Sequence, residues 1–122
     1  MGDVDILVNN ASHYYHKRFV ETSDEEINRS TTVNHLALCW TAHAFLPKMI
    51  QKNQGQIVTI ASAAGIVSVN QLTAYSAAKH AAVGFHRSLS MELDDMGVDN
   101  VKLTLVCPYY IRSEKTEGLK TK

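Results

Sequence analysis

Three short apolar runs, at 4–8, 57–61 and 101–107, constrain what this chain can fold into more than any other feature. Each is rich in Val, Ile or Leu, and none alternates cleanly along its whole length. A strand with one wet face alternates; a strand covered on both faces need not, which is the habit of parallel sheets. The stretches between the runs, about 24–52 and 72–95, carry apolar residues at helical spacing. Strand, helix, strand, helix, strand with right-handed crossovers predicts an α/β fold: part of a doubly wound, Rossmann-type parallel sheet in βαβαβ order. No repeat or linker divides the sequence, so residues 1–122 are read as one domain.

The helical stretches carry their own punctuation. Thr22 or Ser23 is placed to cap the first, each with a Glu three residues on, Glu25 or Glu26, in a capping box. Leu38, Ala42, Phe45 and Met49 form one stripe, and Leu36, Trp40 and Ala44 a second, which predicts burial on more than one side. Pro47 cannot donate to the carbonyl of His43, so a kink or an early end is expected there. In the second helix Ala78, Ala82, Phe85, Leu89 and Leu93 share a face, and Gly97 is placed to stop it. Ser76, Ala77, Ala81 and Gly84 are small enough to admit another backbone, and the polar tail after Ser113 is expected to fray.

Tyr75 and Lys79 stand four apart, one turn from each other on a helix. A phenol, with a pKa of about 10, is a poor base at neutral pH. A nearby ammonium favours the phenolate, so the pair can pass a proton to or from a substrate oxygen. Many solvated helices carry such a pair, and by itself it proves nothing. Ser62 follows the 57–61 strand, at the carboxyl end where open α/β sheets place their ligands, and its hydroxyl is suited to donate to a carbonyl oxygen. A plain turn residue before Gly65 is the simpler reading of Ser62 taken alone. Asn34 is a polar amide in an apolar helical stretch and needs partners. It is either a satisfied helix residue or an amide that holds a water beside Lys79.

Taken together, Asn9-Asn10-Ala11 after the first strand, the interior Asn34, the run 57–65 ending in Ser62-Ala63-Ala64-Gly65, and Tyr75-x-x-x-Lys79 resemble, in order and spacing, the classical short-chain dehydrogenases/reductases. The resemblance covers essentially the whole chain. Residues 44–49 and 81–86 are similar to the 16C group of that family, the group of 17-beta-hydroxysteroid dehydrogenases 11 and 13 and the epidermal retinol dehydrogenases.

The resemblance implies an NAD- or NADP-dependent oxidoreductase that interconverts an alcohol and a carbonyl on a lipophilic substrate of steroid or retinoid type. Tyr75 would be the general acid/base, and Lys79 would ease its deprotonation and bind the nicotinamide ribose. Ser62 would orient the substrate carbonyl, and Asn34 would complete a proton relay. Asn9 and Ala11 would lie on the adenosine side of the cofactor, with Pro108, Ile111 and Ser113 near the nicotinamide. It also implies a homodimer through helices 24–52 and 72–95.

The family's first βαβ unit with its Gly-rich turn, and its last strand, are not among these residues. The turn is what holds a pyrophosphate at a helix N-terminus, so the 122 residues alone are expected to bind cofactor weakly and not to turn over. The alternative reading is an inactive form that at most associates with full-length relatives. Two internal positions depart from the pattern. Ser12 replaces a glycine and is expected to strain the strand exit, and Tyr109 replaces the glycine of a common Pro-Gly and is expected to crowd the nicotinamide pocket.

Charge and composition close off other classes. Lys plus Arg equals Asp plus Glu at 12 each, against a nucleic-acid or anionic-membrane surface. Cys39 and Cys107 read as free thiols of a reducing compartment. No run of about 18 apolar residues, and no cationic head before an apolar run at Met1-Gly2-Asp3, predicts an intracellular, cytoplasmic protein. The 16C relatives sit on endoplasmic reticulum or lipid droplets through an N-terminal apolar segment. His13 and His16 have no Cys or carboxylate to complete a metal set, and are expected in a loop beside the substrate mouth.

Overall fold

A computed structural model describes residues 2–111. Three strands, β1 (Ile6–Asn9), β2 (Gly55–Ile60) and β3 (Val101–Val106), form one parallel sheet in the order β1-β2-β3. The register pairs Leu7 with Ile57 and Ile57 with Leu103, so one apolar row crosses the sheet. The helices are α1 (Asp24–Thr31), α2 (Ala37–Lys52) and α3 (Thr73–Asp95). The core lies where α2 and α3 cover the sheet: Ala42, Met49, Ile57, Leu93 and Val101 are buried together, with Leu7, Phe45 and Leu103 packed around them.

The parallel βαβαβ order is as the sequence predicts, with shifted boundaries. β1 begins at Ile6 instead of Val4; Asp5 still pairs, its carbonyl accepting from the Gln56 N–H at 2.9 Å. β2 begins two residues early, at the polar Gly55-Gln56 step, and stops before Ala61. Gly97 ends α3 as expected, at φ +70°, with the Val98 N–H donating to the Leu93 carbonyl at 3.0 Å.

Two expectations need correction and two alternatives are resolved. The helix predicted at 24–52 is not uniform: a π-helical turn, Thr32–Leu36, separates α1 from α2. Such turns arise where a side chain competes with the helical ladder, and Asn34 sits in its middle, its amide donating to the Ser30 carbonyl at 2.8 Å. The helix does not end early at Pro47 but runs on to Lys52, where Asn53 closes it in the left-handed conformation (φ 46°, ψ 46°). Burial of Met49, two residues beyond the proline, holds that last segment against the sheet. Among the described residues the second apolar stripe is largely uncovered: Trp40 is 60% exposed and Ala44 is exposed, while Leu36 is half-buried. Of the two candidate caps, Ser23 is the one used. Its hydroxyl accepts from the Glu26 N–H and the Glu26 carboxylate accepts from the Ser23 N–H, whereas the Thr22 hydroxyl donates to the Arg18 carbonyl.

Candidate active site

The carboxyl end of the sheet and the first turns of α3 come together around Lys79. Its side chain is 2% exposed, and its ammonium donates to the carbonyl of Ile60, the last residue of β2, at 3.4 Å. A lysine so buried requires partners, and a second one is the π face of Tyr75, with Nζ 5.5 Å from the ring centroid. The i, i+4 spacing on α3 makes this meeting possible, and the strand end brings in the third group. Ser62, immediately after β2, is fixed by the Ala64 N–H, which donates to its hydroxyl at 3.1 Å. That leaves the Ser62 O–H able to donate elsewhere.

The turn after β2 (Ala63–Gly65) is clamped onto α3. The Ser76 hydroxyl donates to the Ala64 carbonyl at 2.6 Å, and a methyl group at Gly65 would stand 2.7 Å from the Lys79 carbonyl oxygen. Glycine is required here by close approach, not by backbone conformation. The small residues predicted to admit another backbone are therefore used in part: Ser76 meets this turn, while Ala77 and Gly84 are exposed.

Asn34 is 2% exposed and makes four hydrogen bonds. Its Oδ1 accepts from the Ser12 hydroxyl at 3.1 Å and the His13 N–H at 3.2 Å, and its Nδ2 donates to the carbonyls of His13 and Ser30. An amide has two donor hydrogens and two acceptor lone pairs, so the side chain is saturated. Its visible work is to pin the loop that follows β1.

That loop crosses in front of Tyr75. It is held at one end by Asn34 and at the other by Lys17, whose N–H donates to the Gln71 carbonyl at 3.1 Å and whose ammonium forms an ion pair with Glu26 at 2.7 Å. This pair and the capping bond from Ser23 keep the Glu26 carboxyl below the usual range. Between the pins, the ring of Tyr14 stands edge-on to Tyr75, with centroids 5.5 Å apart and planes at 62°. Sequence reasoning placed this loop near the substrate mouth through its histidines but did not single out Tyr14.

The two departures from the family pattern do not behave as expected. Ser12 is not among the residues with positive φ, so no strain arises; its hydroxyl supplies one of the bonds to Asn34. Tyr109 is 84% exposed and does not fill the pocket. Asn9 and Ala11 line a cleft of about 190 Å³ with Asn34 and Thr41. There the Asn9 Oδ1 accepts from the Thr41 hydroxyl at 2.6 Å, while its Nδ2 is buried without a partner among the described residues. A free amide donor at the carboxyl edge of the sheet suits a polar ligand, so the residues present fit the cofactor side assigned to them. Pro108 joins the site's frame by accepting from the Ala63 N–H at 2.8 Å, and Ile111 is exposed. Ser113 lies outside the described residues. Among those residues, no group of three His, Cys, Asp or Glu side chains comes together, and no helix is long and apolar enough to cross a membrane.

A parallel sheet with the Tyr75–Lys79 pair at the carboxyl end of its middle strand, whose last residue, Ile60, stands two residues before Ser62 in the chain, defines the class: a Rossmann-type fold. The family model described as short chain dehydrogenase matches residues 1–122, and the chain belongs to that family. It is 49% identical over 113 residues to human estradiol 17-beta-dehydrogenase 11, covering 93% of this chain and 38% of the relative. It is 43% identical over 122 residues to short-chain dehydrogenase/reductase family 16C member 6 of Bos taurus, covering all of this chain and 39% of the relative, in agreement with the 16C resemblance. The solved short-chain dehydrogenase/reductase of Burkholderia phymatum, in complex with NAD, superposes with a TM-score of 0.85 at 31% identity, over 90% of this chain and 39% of that one. The chain thus spans about two fifths of the length of the proteins it matches.

Proposed function

We propose that this chain carries the proton-transfer half of an NAD- or NADP-dependent oxidoreductase that interconverts an alcohol and a carbonyl on a lipophilic, steroid- or retinoid-type substrate. The observation that carries this reading is the meeting of Tyr75 with buried Lys79 at the end of β2, where Ser62 follows two residues after the strand. The steroid in the name of the human relative and the NAD of the Burkholderia complex support the substrate and cofactor classes.

In the reducing direction the Tyr75 hydroxyl donates its proton to the substrate oxygen, and the Ser62 hydroxyl donates a hydrogen bond to the same atom. Lys79, 5.5 Å from the Tyr75 ring, stabilises the negative charge left on the phenol. Asn9 and Ala11 would hold the adenosine side of the cofactor, Lys79 its nicotinamide ribose, and Pro108, Ile111 and Ser113 the nicotinamide end. The bound nicotinamide supplies or accepts the hydride. Because the Asn34 amide is saturated, its side chain serves the site by fixing the loop.

A second reading is association with another family chain without turnover of its own. The exposed Trp40 on α2, uncovered among the described residues, favours it. A homodimer through 24–52 and 72–95 belongs to either reading. One experiment separates them. The chain is assayed alone, and as a chimera in place of the matching segment of human estradiol 17-beta-dehydrogenase 11, with NAD and NADP and a panel of steroid and retinoid alcohols. Tyr75-dependent turnover by the chimera supports the oxidoreductase; none with either cofactor, from a folded chimera, contradicts it.

A further inference from the structure

The loop after β1 holds a group that the proton-transfer site does not use. The Tyr14 hydroxyl is buried and has no hydrogen-bond partner among the described residues, although its ring rests against Tyr75. A buried phenol left unpaired is unfavourable, and such groups ordinarily find a partner. The position is also fixed. Asn34 binds the loop through Ser12 and His13 on one side of Tyr14, and Gln71 and Glu26 bind Lys17 on the other. Burial, with Tyr75 and Tyr110 nearby, raises the Tyr14 pKa, so its hydroxyl remains a neutral donor.

Resting on the oxidoreductase reading above, we propose that Tyr14 is a specificity-determining residue whose hydroxyl bonds a second oxygen of the substrate, on a carbon next to the one that reacts. The reacting carbonyl oxygen has two lone pairs, and Tyr75 and Ser62 take both. A third donor, on the ring that rests against Tyr75, therefore needs a different oxygen. With the two phenol rings 5.5 Å apart, that oxygen belongs close to the first, not at the far end of the molecule. The preferred substrate class is then a lipophilic vicinal diol or hydroxy-ketone. A site built to bond a substrate hydroxyl discriminates against an analogue lacking it, because its own buried group is left unpaired.

The test uses the chimera with estradiol and estriol, which differ by one hydroxyl on the carbon beside the reacting one. The parent is expected to prefer estriol by about tenfold in kcat/KM, and Tyr14→Phe to remove that preference through KM, with kcat changed by less than about twofold. Tyr14→Ala, which also removes the ring beside Tyr75, is expected to lower kcat with both steroids. No preference in the parent, or the same preference after Tyr14→Phe, overturns the proposal while Tyr75-dependent turnover leaves the oxidoreductase reading standing. A fall in thermal stability with unchanged kinetics in Tyr14→Phe also overturns it, since the hydroxyl would then have a purely structural partner. Absence of any turnover in the parent overturns both.

Discussion

The platform at the carboxyl end of β2 and the loop after β1 face each other across the site but are built differently. On the platform the framework contacts lie within the fold: Ser76 donates to Ala64, Lys79 meets Ile60 and the Tyr75 ring, and Ser62 accepts from Ala64. In the loop and at its entry, Asn9 Nδ2, His13 Nε2 and the Tyr14 hydroxyl are buried and unpaired among the described residues. The platform is completed by short contacts within the fold. The loop is positioned by Asn34 and keeps buried polar atoms unpaired. Chemistry that must be the same for every substrate belongs on the first, and recognition that differs among substrates belongs on the second.

This contrast can be broken at several points. Lys79→Met in the chimera should reduce turnover by at least about 100-fold and weaken cofactor binding, because one ammonium serves both; steady-state rates and fluorescence titration check it. Asn34→Ala should destabilise by about 3 kcal/mol, since it leaves Ser12, His13 and Ser30 groups unpaired together. Hydrogen exchange should then rise in residues 10–17 more than in α3; equal protection in both would mean that Asn34 does not hold the loop. Gly65→Ala should cost about 2 kcal/mol, because backbone and not a pliable side chain stands in the way, and should lower kcat by moving Ser62 relative to Tyr75. Thermal melts and kcat measured on the same preparation check both halves.

The smallest effect is electrostatic. His86, buried on α3, has its pKa lowered by desolvation first and by the charge of Arg87 second. Its neutral form is favoured in the fold, so its contribution is present above the ordinary histidine value and lost as pH falls below it. The melting temperature should therefore drop between pH 7 and 5, and His86→Phe should flatten part of that slope.

Much of the platform was legible in the sequence, because it is made from local signals. The apolar runs gave the strands, Gly97 the end of α3, Ser23 with Glu26 the start of α1, and Tyr75 with Lys79 one face of a turn. The loop was not legible. Its geometry depends on Asn34 reaching His13 across 21 residues, and no local propensity encodes that contact. The π-helical turn escaped because apolar spacing over 24–52 reads as one continuous helix and does not register the local Asn34–Ser30 bond. Trp40 misled because an apolar stripe announces burial without naming what buries it, and among the described residues nothing covers it. Pro47 does not end the helix, because packing of Met49 outweighs the hydrogen bond that the proline removes.

The central claim is that Tyr75 gives the substrate oxygen its proton from a fixed platform. The most direct measurement is kcat/KM of Tyr75→Phe beside Ser62→Ala in the chimera at neutral pH, with NAD(P)H binding followed in parallel. The account predicts a loss of at least about 100-fold for Tyr75→Phe, a smaller loss for Ser62→Ala, and cofactor affinity within about twofold of the parent for both. Near-full turnover by Tyr75→Phe would contradict it.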